Sequence, residues 1–142
     1  MTVAAVIERE GRFLLVQERV SGESVFNQPA GHLDEGESLL AAVIRETREE
    51  SAWEFVPQAI VGIYQWRHPH KDKTFIRVTF CGDAVQHDPH SPLDEGIEAT
   101  HWLTLDEIRD PQRPLRSPMV LRSIDDYLSH TRYPLSLLAV IE

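Results

Sequence analysis

The chain has 142 residues, 14 Lys+Arg against 23 Asp+Glu, and a formal charge of −9, with 42% apolar and 26% charged residues. That balance describes a folded domain rather than a disordered chain, and it lacks the basic footprint that a nucleic-acid partner demands. The longest apolar run, Leu39 to Ile44, falls far short of the ~20 residues that span a bilayer, and one cysteine, Cys81, supports neither a disulfide nor a zinc cluster.

Val3 to Ile7 is a continuous apolar run, the pattern of a strand buried on both faces. It leads into Glu8-Arg9-Glu10 without the basic start of a signal peptide. Glu10-Gly11 punctuates the chain, and Arg12 to Glu18 resumes as a second strand. Val20 to Gly36 has neither period and reads as loop. Ser38 offers an N-cap to a helix over Leu39 to Ala52. Pro57 interrupts, after which Ala59 to Trp66 and Thr74 to Val85 read as strands. The acidic, turn-rich stretch His87 to Gly96 connects to a short strand, Ala99 to Leu103, and to a capped helical turn, Thr104 to Ile108. Ser117 and Pro118 open a last helix, Met119 to Leu128. The apolar end, Leu135 to Ile141, reads as docking on the domain or extending its sheet. With no repeat and no linker, the order of elements predicts one α+β domain over residues 1–142. A cytoplasmic location is expected.

Chemistry concentrates in GHLDEGESLLAAVIRETREESAW, which starts at Gly31. A glycine-rich turn delivers a helix on which Glu46, Glu49 and Glu50 share an arc of ~100°. The apolar stripe Leu40, Val43, Ile44 and Thr47 lies alongside, with Glu50 nearest to it. Three like charges on one arc repel one another unless something positive sits among them. Hard oxygen ligands on a rigid element suit Mg²⁺ or Mn²⁺, above all when a substrate phosphate completes the shell. Taken alone, E-x-x-E-E reads equally as a solvated acidic face compensated by Arg45 and Arg48.

The surrounding spacing decides between these. Gly31, Glu37, Arg45-Glu46 and Glu49-Glu50 reproduce the Nudix box, here residues 31–53, and the sequence resembles the Nudix hydrolases. Thr47 and Trp53 stand where the family has aliphatic residues, and Ala52 replaces the closing glycine, which bears on the turn after the helix. Asn27 to Leu33, Gln65-Trp66, Leu115 to Pro118 and Arg132 to Leu135 extend the similarity to the NudJ-type phosphatases of that family. The resemblance implies an α/β/α sandwich with a mixed sheet between helices. It also implies metal-dependent release of inorganic phosphate from nucleoside tri- and diphosphates and from hydroxymethylpyrimidine diphosphate.

The resemblance further implies roles. Glu46, Glu49 and Glu50 with the Gly31 carbonyl would hold Mg²⁺ (Mn²⁺ as the alternative), and Glu37 would pair with Arg45 behind them. Catalytic candidates are Glu46 and Glu49 in the box, and Asp94, Glu95 and Glu98 just before the strand that carries Trp102. Phe26 and Trp66 are candidates to stack on a planar ring, and Arg77 and Arg116 to clamp phosphate; core burial is the competing role for the two aromatics. Of the seven histidines only His32, beside the box, is placed to meet phosphate. The expected partner is a small phosphorylated substrate, with no nucleic acid and no membrane, acting on a monomer or a dimer. A pyrophosphohydrolase of the same family is the competing enzyme. A non-catalytic binding module is expected to lack some of the four box glutamates, and all four are present.

Overall fold

Every residue of Thr2–Val6 (β1) is buried, because this strand runs inside a sheet covered on both faces. The structure, a computed structural model, describes residues 1–142. After β1 come Glu8–Arg9 (β2), Arg12–Val20 (β3), Glu23–Asn27 (β4) and Ala30–His32 (β5). Helix α1 (Leu39–Ser51) leads directly into Trp53–Arg67 (β6), followed by Thr74–His87 (β7) and Ile97–Thr104 (β8). Leu105–Ile108 (α2), Met119–Leu128 (α3) and a 3₁₀ turn, Leu135–Leu137, complete the order.

The first sheet runs β5-β1-β7-β6, with β1 and β7 parallel and the other pairs antiparallel. In the second, β3 takes β8 along one edge and β2 then β4 along the other. Strand alternation sends side chains to two cores. Val3, Ala5, Val78 and Phe80 pack with Ala42 and Val43 of α1, whereas Val6, Cys81, Phe13 and Leu15 pack with Val120 and Ile124 of α3. The result is a mixed sheet system between helices, an α+β sandwich of the expected class. No helix is long and apolar enough to cross a membrane.

Three expectations need correction. Val20 to Gly36 is not simply loop: it contains β4 and β5, held by pairing to β3 and β1 rather than by any period of their own. Pro57 does not interrupt, since β6 starts at Trp53 and passes through it at an edge-strand bulge. Gly82 makes the bulge possible, because a Cβ there would lie 2.0 Å from the Val56 carbonyl oxygen. Ala52 closes α1 in the left-handed region at φ 62° although it is not glycine, and its N–H donates to Arg48 O at 2.8 Å. The last helix has the expected bounds, with the Ser117 hydroxyl accepting from Met119 N–H at 3.2 Å. Only part of the apolar end docks. Leu135 and Leu138 pack on the α1-side core, while Val140 and Ile141 stay exposed.

The β4–β5 connection is anchored by Gln28, which is fully buried. Its amide donates to Val120 O at 3.0 Å and to Ser123 Oγ at 2.9 Å, tying the loop to α3. Gln28→Ala removes both tethers from a buried site and is expected to lower stability by about 1–3 kcal/mol in equilibrium denaturant unfolding. A loss within error would show the anchor to be dispensable.

Candidate active site

Helix α1 begins where Ser38 Oγ accepts from Ala41 N–H at 3.0 Å, satisfying one of the free donors of its first turn. From there the apolar residues Ala42 and Val43 face the sheet, and the same phase carries Glu46 and Glu50 inward, where both are buried. Glu49, one position from Glu50, stays half-buried.

Arg45 organises the acids around it. Its Nε and Nη2 form a two-pronged pair with Glu37 at 2.7 and 2.9 Å, while Nη1 meets Glu46 Oε1 at 2.8 Å and Glu49 Oε2 at 3.2 Å. Nη2 also donates to the His32 carbonyl at 3.1 Å, so one guanidinium joins the glycine loop to the helix. The hydrogen bond from Arg45 holds the Glu37 carboxyl below the usual carboxylate range. Glu46 and Glu49 each keep their second oxygen outside this pairing.

Gly31 has a steric reason. A Cβ on it would lie 2.1 Å from the Glu46 Cδ, so the carboxylate rests directly on the glycine backbone. Glu50 is held from the other strand end, accepting from Ala30 N–H at 2.8 Å. Burial raises its carboxyl to about 8, against that hydrogen bond, with Glu18, Glu46 and Asp94 adding to the rise. Burial also raises Glu46, opposed by Arg45.

Of Asp94, Glu95 and Glu98, the last of them within β8, Asp94 alone joins the group. Its N–H donates to Glu49 O at 2.9 Å, and oxygens of Glu46, Glu49 and Asp94 lie within 4.8 Å of one another. Glu98 is committed elsewhere, to Arg19 at 3.2 Å and to the Ser24 hydroxyl, and Glu95 is exposed on the turn. The catalytic expectation for Glu95 and Glu98 therefore finds no geometric support. The clustered oxygens are hard donors of the kind Mg²⁺ and Mn²⁺ take, and the buried, charge-crowded carboxyls fit such an ion.

Glu46, Glu50 and Gly31 line a cleft of about 350 Å³ that also receives Trp66, Arg77 and Arg116. Trp66 stacks on Phe75, centroids 5.7 Å apart. Arg77 is only 6% exposed. It has Asn27 Oδ1 and Gln28 Oε1 at 3.4 Å and no acid in ion-pair reach, and its Nε has no partner. Burial lowers it to about 10. Arg116 reaches Glu18 Oε1 at 3.5 Å. Phe26 is the exception among the expected contacts: it packs in the α3-side core, 5.6 Å from the His101 ring, and its neighbour Asn27 faces the cleft instead. The sequence gives no role in the cleft to Glu18, and Asn27 enters it only as part of the Asn27 to Leu33 segment. Glu18 reaches the cleft beside a β-bulge in β3, which leaves no local signature.

A glycine loop set against a carboxylate-bearing helix, on a mixed sheet between helices, places the protein among the Nudix hydrolases. Residues 1–122 match the NUDIX domain, and the chain belongs to that family. Phosphatase NudJ of Escherichia coli (strain K12) is 41% identical over 139 residues, covering 97% of this chain and 89% of that protein. A NUDIX hydrolase from Nitrosomonas europaea is 44% identical, with a TM-score of 0.94 over 99% of this chain and 95% of its own. The MutT NUDIX hydrolase from Burkholderia pseudomallei shares the fold at 21% identity, with a TM-score of 0.75 over 88% of this chain and 95% of its own.

Two outcomes are expected. Gly31→Ala displaces the Glu46 carboxylate and lowers Mg²⁺ or Mn²⁺ affinity by about tenfold or more, read by calorimetric titration. Unchanged affinity would remove Glu46 from the ion's surroundings. Glu50 supplies the second. Its folded value lies above its unfolded one, so in the metal-free protein its penalty is absent at pH 4, grows between about 4.5 and 8, and is complete above that. Glu50→Gln, which keeps an acceptor for Ala30, should raise the metal-free Tm by several degrees at pH 8 and hardly at all at pH 4. A shift independent of pH would contradict the assignment.

Proposed function

We propose that this cleft removes the terminal phosphate from nucleoside tri- and diphosphates, and from hydroxymethylpyrimidine diphosphate, with Mg²⁺ or Mn²⁺ bound. The observation that carries the reading is the pairing, in one cleft, of crowded carboxylates with a buried arginine that has no acid partner. The name of the Escherichia coli relative, a phosphatase, supports terminal-phosphate release over pyrophosphate release.

Glu46, Glu49 and Glu50, with the Gly31 carbonyl, would hold the ion, and Arg45 with Glu37 fixes their orientation. A bound divalent ion neutralises phosphate oxygens and lowers the pKa of the attacking water. Glu46, resting on Gly31 and paired to Arg45, is the box carboxylate that would accept a proton from the attacking water. Asp94, tethered to Glu49, would bring a further carboxylate to the same group. Arg77 and Arg116 grip the phosphates that are not cleaved. Trp66, already stacked on Phe75, covers a planar ring by its face, a contact that tolerates several bases.

Phosphorus NMR of products formed in ¹⁸O water tests the bond cleaved. Labelled inorganic phosphate is expected at each step, triphosphate to diphosphate to monophosphate, and pyrophosphate as the sole early product would favour the pyrophosphohydrolase reading. Exhaustive chelation should abolish turnover, and Glu50→Gln should remove most of it; full activity after either would defeat the metal-dependent mechanism.

A further inference from the structure

Charge is unevenly distributed over this molecule. The chain carries −9 overall, yet His32, His68, Lys71, Arg77 and Arg116 all line the one cleft. Four acids line it too: Glu46 and Glu50 on α1, Glu18, which Arg116 meets at 3.5 Å, and Asp34, which Arg45 meets at 3.4 Å. Lys71 has no acid within ion-pair distance, and neither has Arg77.

The hairpin between β6 and β7 is shaped to present two of these groups. His68 N–H donates to Lys73 O at 3.0 Å, closing the turn, and His70 N–H donates to His68 Nδ1 at 3.1 Å. Because Nδ1 accepts, the proton of the neutral ring sits on Nε2, and His68 carries an N–H donor without needing a charge. Burial, then Lys71, His70 and Arg116, push the His68 imidazole below its ordinary value. Gathered like charges repel in the free protein, and only a polyanion relieves all of them together.

We propose that Lys71 and His68 Nε2, with Arg116, form a second anion subsite at the mouth of the cleft. It takes a phosphate one position further from the cleaved bond than the phosphate held by Arg77. The ligand class is a linear chain of three phosphates, so the subsite sets a preference for triphosphates over diphosphates. This rests on the reading of the cleft as a phosphoanhydride hydrolase.

The test compares KM for a nucleoside triphosphate and the matching diphosphate at saturating Mg²⁺ in the full chain. In Lys71→Gln the triphosphate KM should rise about fivefold more than the diphosphate KM, with kcat for the triphosphate retained; Lys71→Glu should widen the gap. His68→Phe should act in the same direction, and Lys71→Arg should restore the parent ratio. Equal rises for both substrates, or none, would overturn the subsite. Calorimetric titration with inorganic tripolyphosphate and with pyrophosphate reads the subsite without turnover. The parent protein should favour tripolyphosphate and Lys71→Gln should lose that advantage, whether or not nucleotides prove to be substrates; equal affinities in the parent would refute the inference while leaving the hydrolase reading intact.

Discussion

The guanidinium of Arg45 is the contact on which the rest of the site depends. It bonds Glu37 and the His32 carbonyl from the glycine loop, and Glu46 and Glu49 from its own helix. Without it, α1 would carry three glutamates on one arc with nothing to offset them. Hydrogen bonds to Glu37 and Glu46 keep Arg45 more basic than an ordinary arginine against its partial burial, so the charge is permanent. Removing a half-buried arginine of this kind leaves several acids uncompensated at once, which is costlier than the loss of any one pair.

The fold supplies what Arg45 cannot reach. Glu50 lies on the buried phase of α1 and is held by Ala30 of β5, and β5 is itself paired to β1 in the centre of the sheet. The loop after β7 is pinned at two points of the same helix end, Asp88 N–H to Ala52 O and Asp94 N–H to Glu49 O. The left-handed turn at Ala52 therefore affects more than the helix terminus. It directs the chain from α1 into β6 and exposes the carbonyl that anchors the Asp94 loop. Backbone hydrogen bonds, not side-chain preference, decide which acid of that loop joins Glu46 and Glu49.

What could be read from the sequence follows the range of the interaction. The helix over Leu39 to Ala52 and its acidic arc depend on contacts three and four residues apart, so spacing alone revealed them, and α1 ends within one residue of that reading. The last helix was legible for the same reason. β4 and β5 escaped because their stability lies in pairing with distant strands. Phe26 and Asn27 show the cost of that omission: adjacent strand residues face opposite sides, and without knowing the strand one cannot say which faces the cleft. Asp94 could not be separated from Glu95 and Glu98 by composition, since only a long-range hydrogen bond to Glu49 distinguishes it.

Two buried ionisable groups, one acidic and one basic, line the same cleft and do not pair. Glu50, 8% exposed, has no cation in contact, and Arg77, 6% exposed, has no carboxylate in contact. Each feels the other, since Glu50 is among the acids that draw Arg77 back towards its ordinary value. With no cation beside it, Glu50 avoids the desolvation cost of a buried charge by holding its proton up to about pH 8, while Arg77 bears that cost without a carboxylate partner. Holding them apart makes sense for a ligand that is itself dipolar, with a cation for the acid and an anion for the arginine. A metal ion bound to phosphate is that kind of ligand. The cleft is thus the electrostatic inverse of a metal–phosphate complex, and a ligand of that kind would meet the needs of both walls at once.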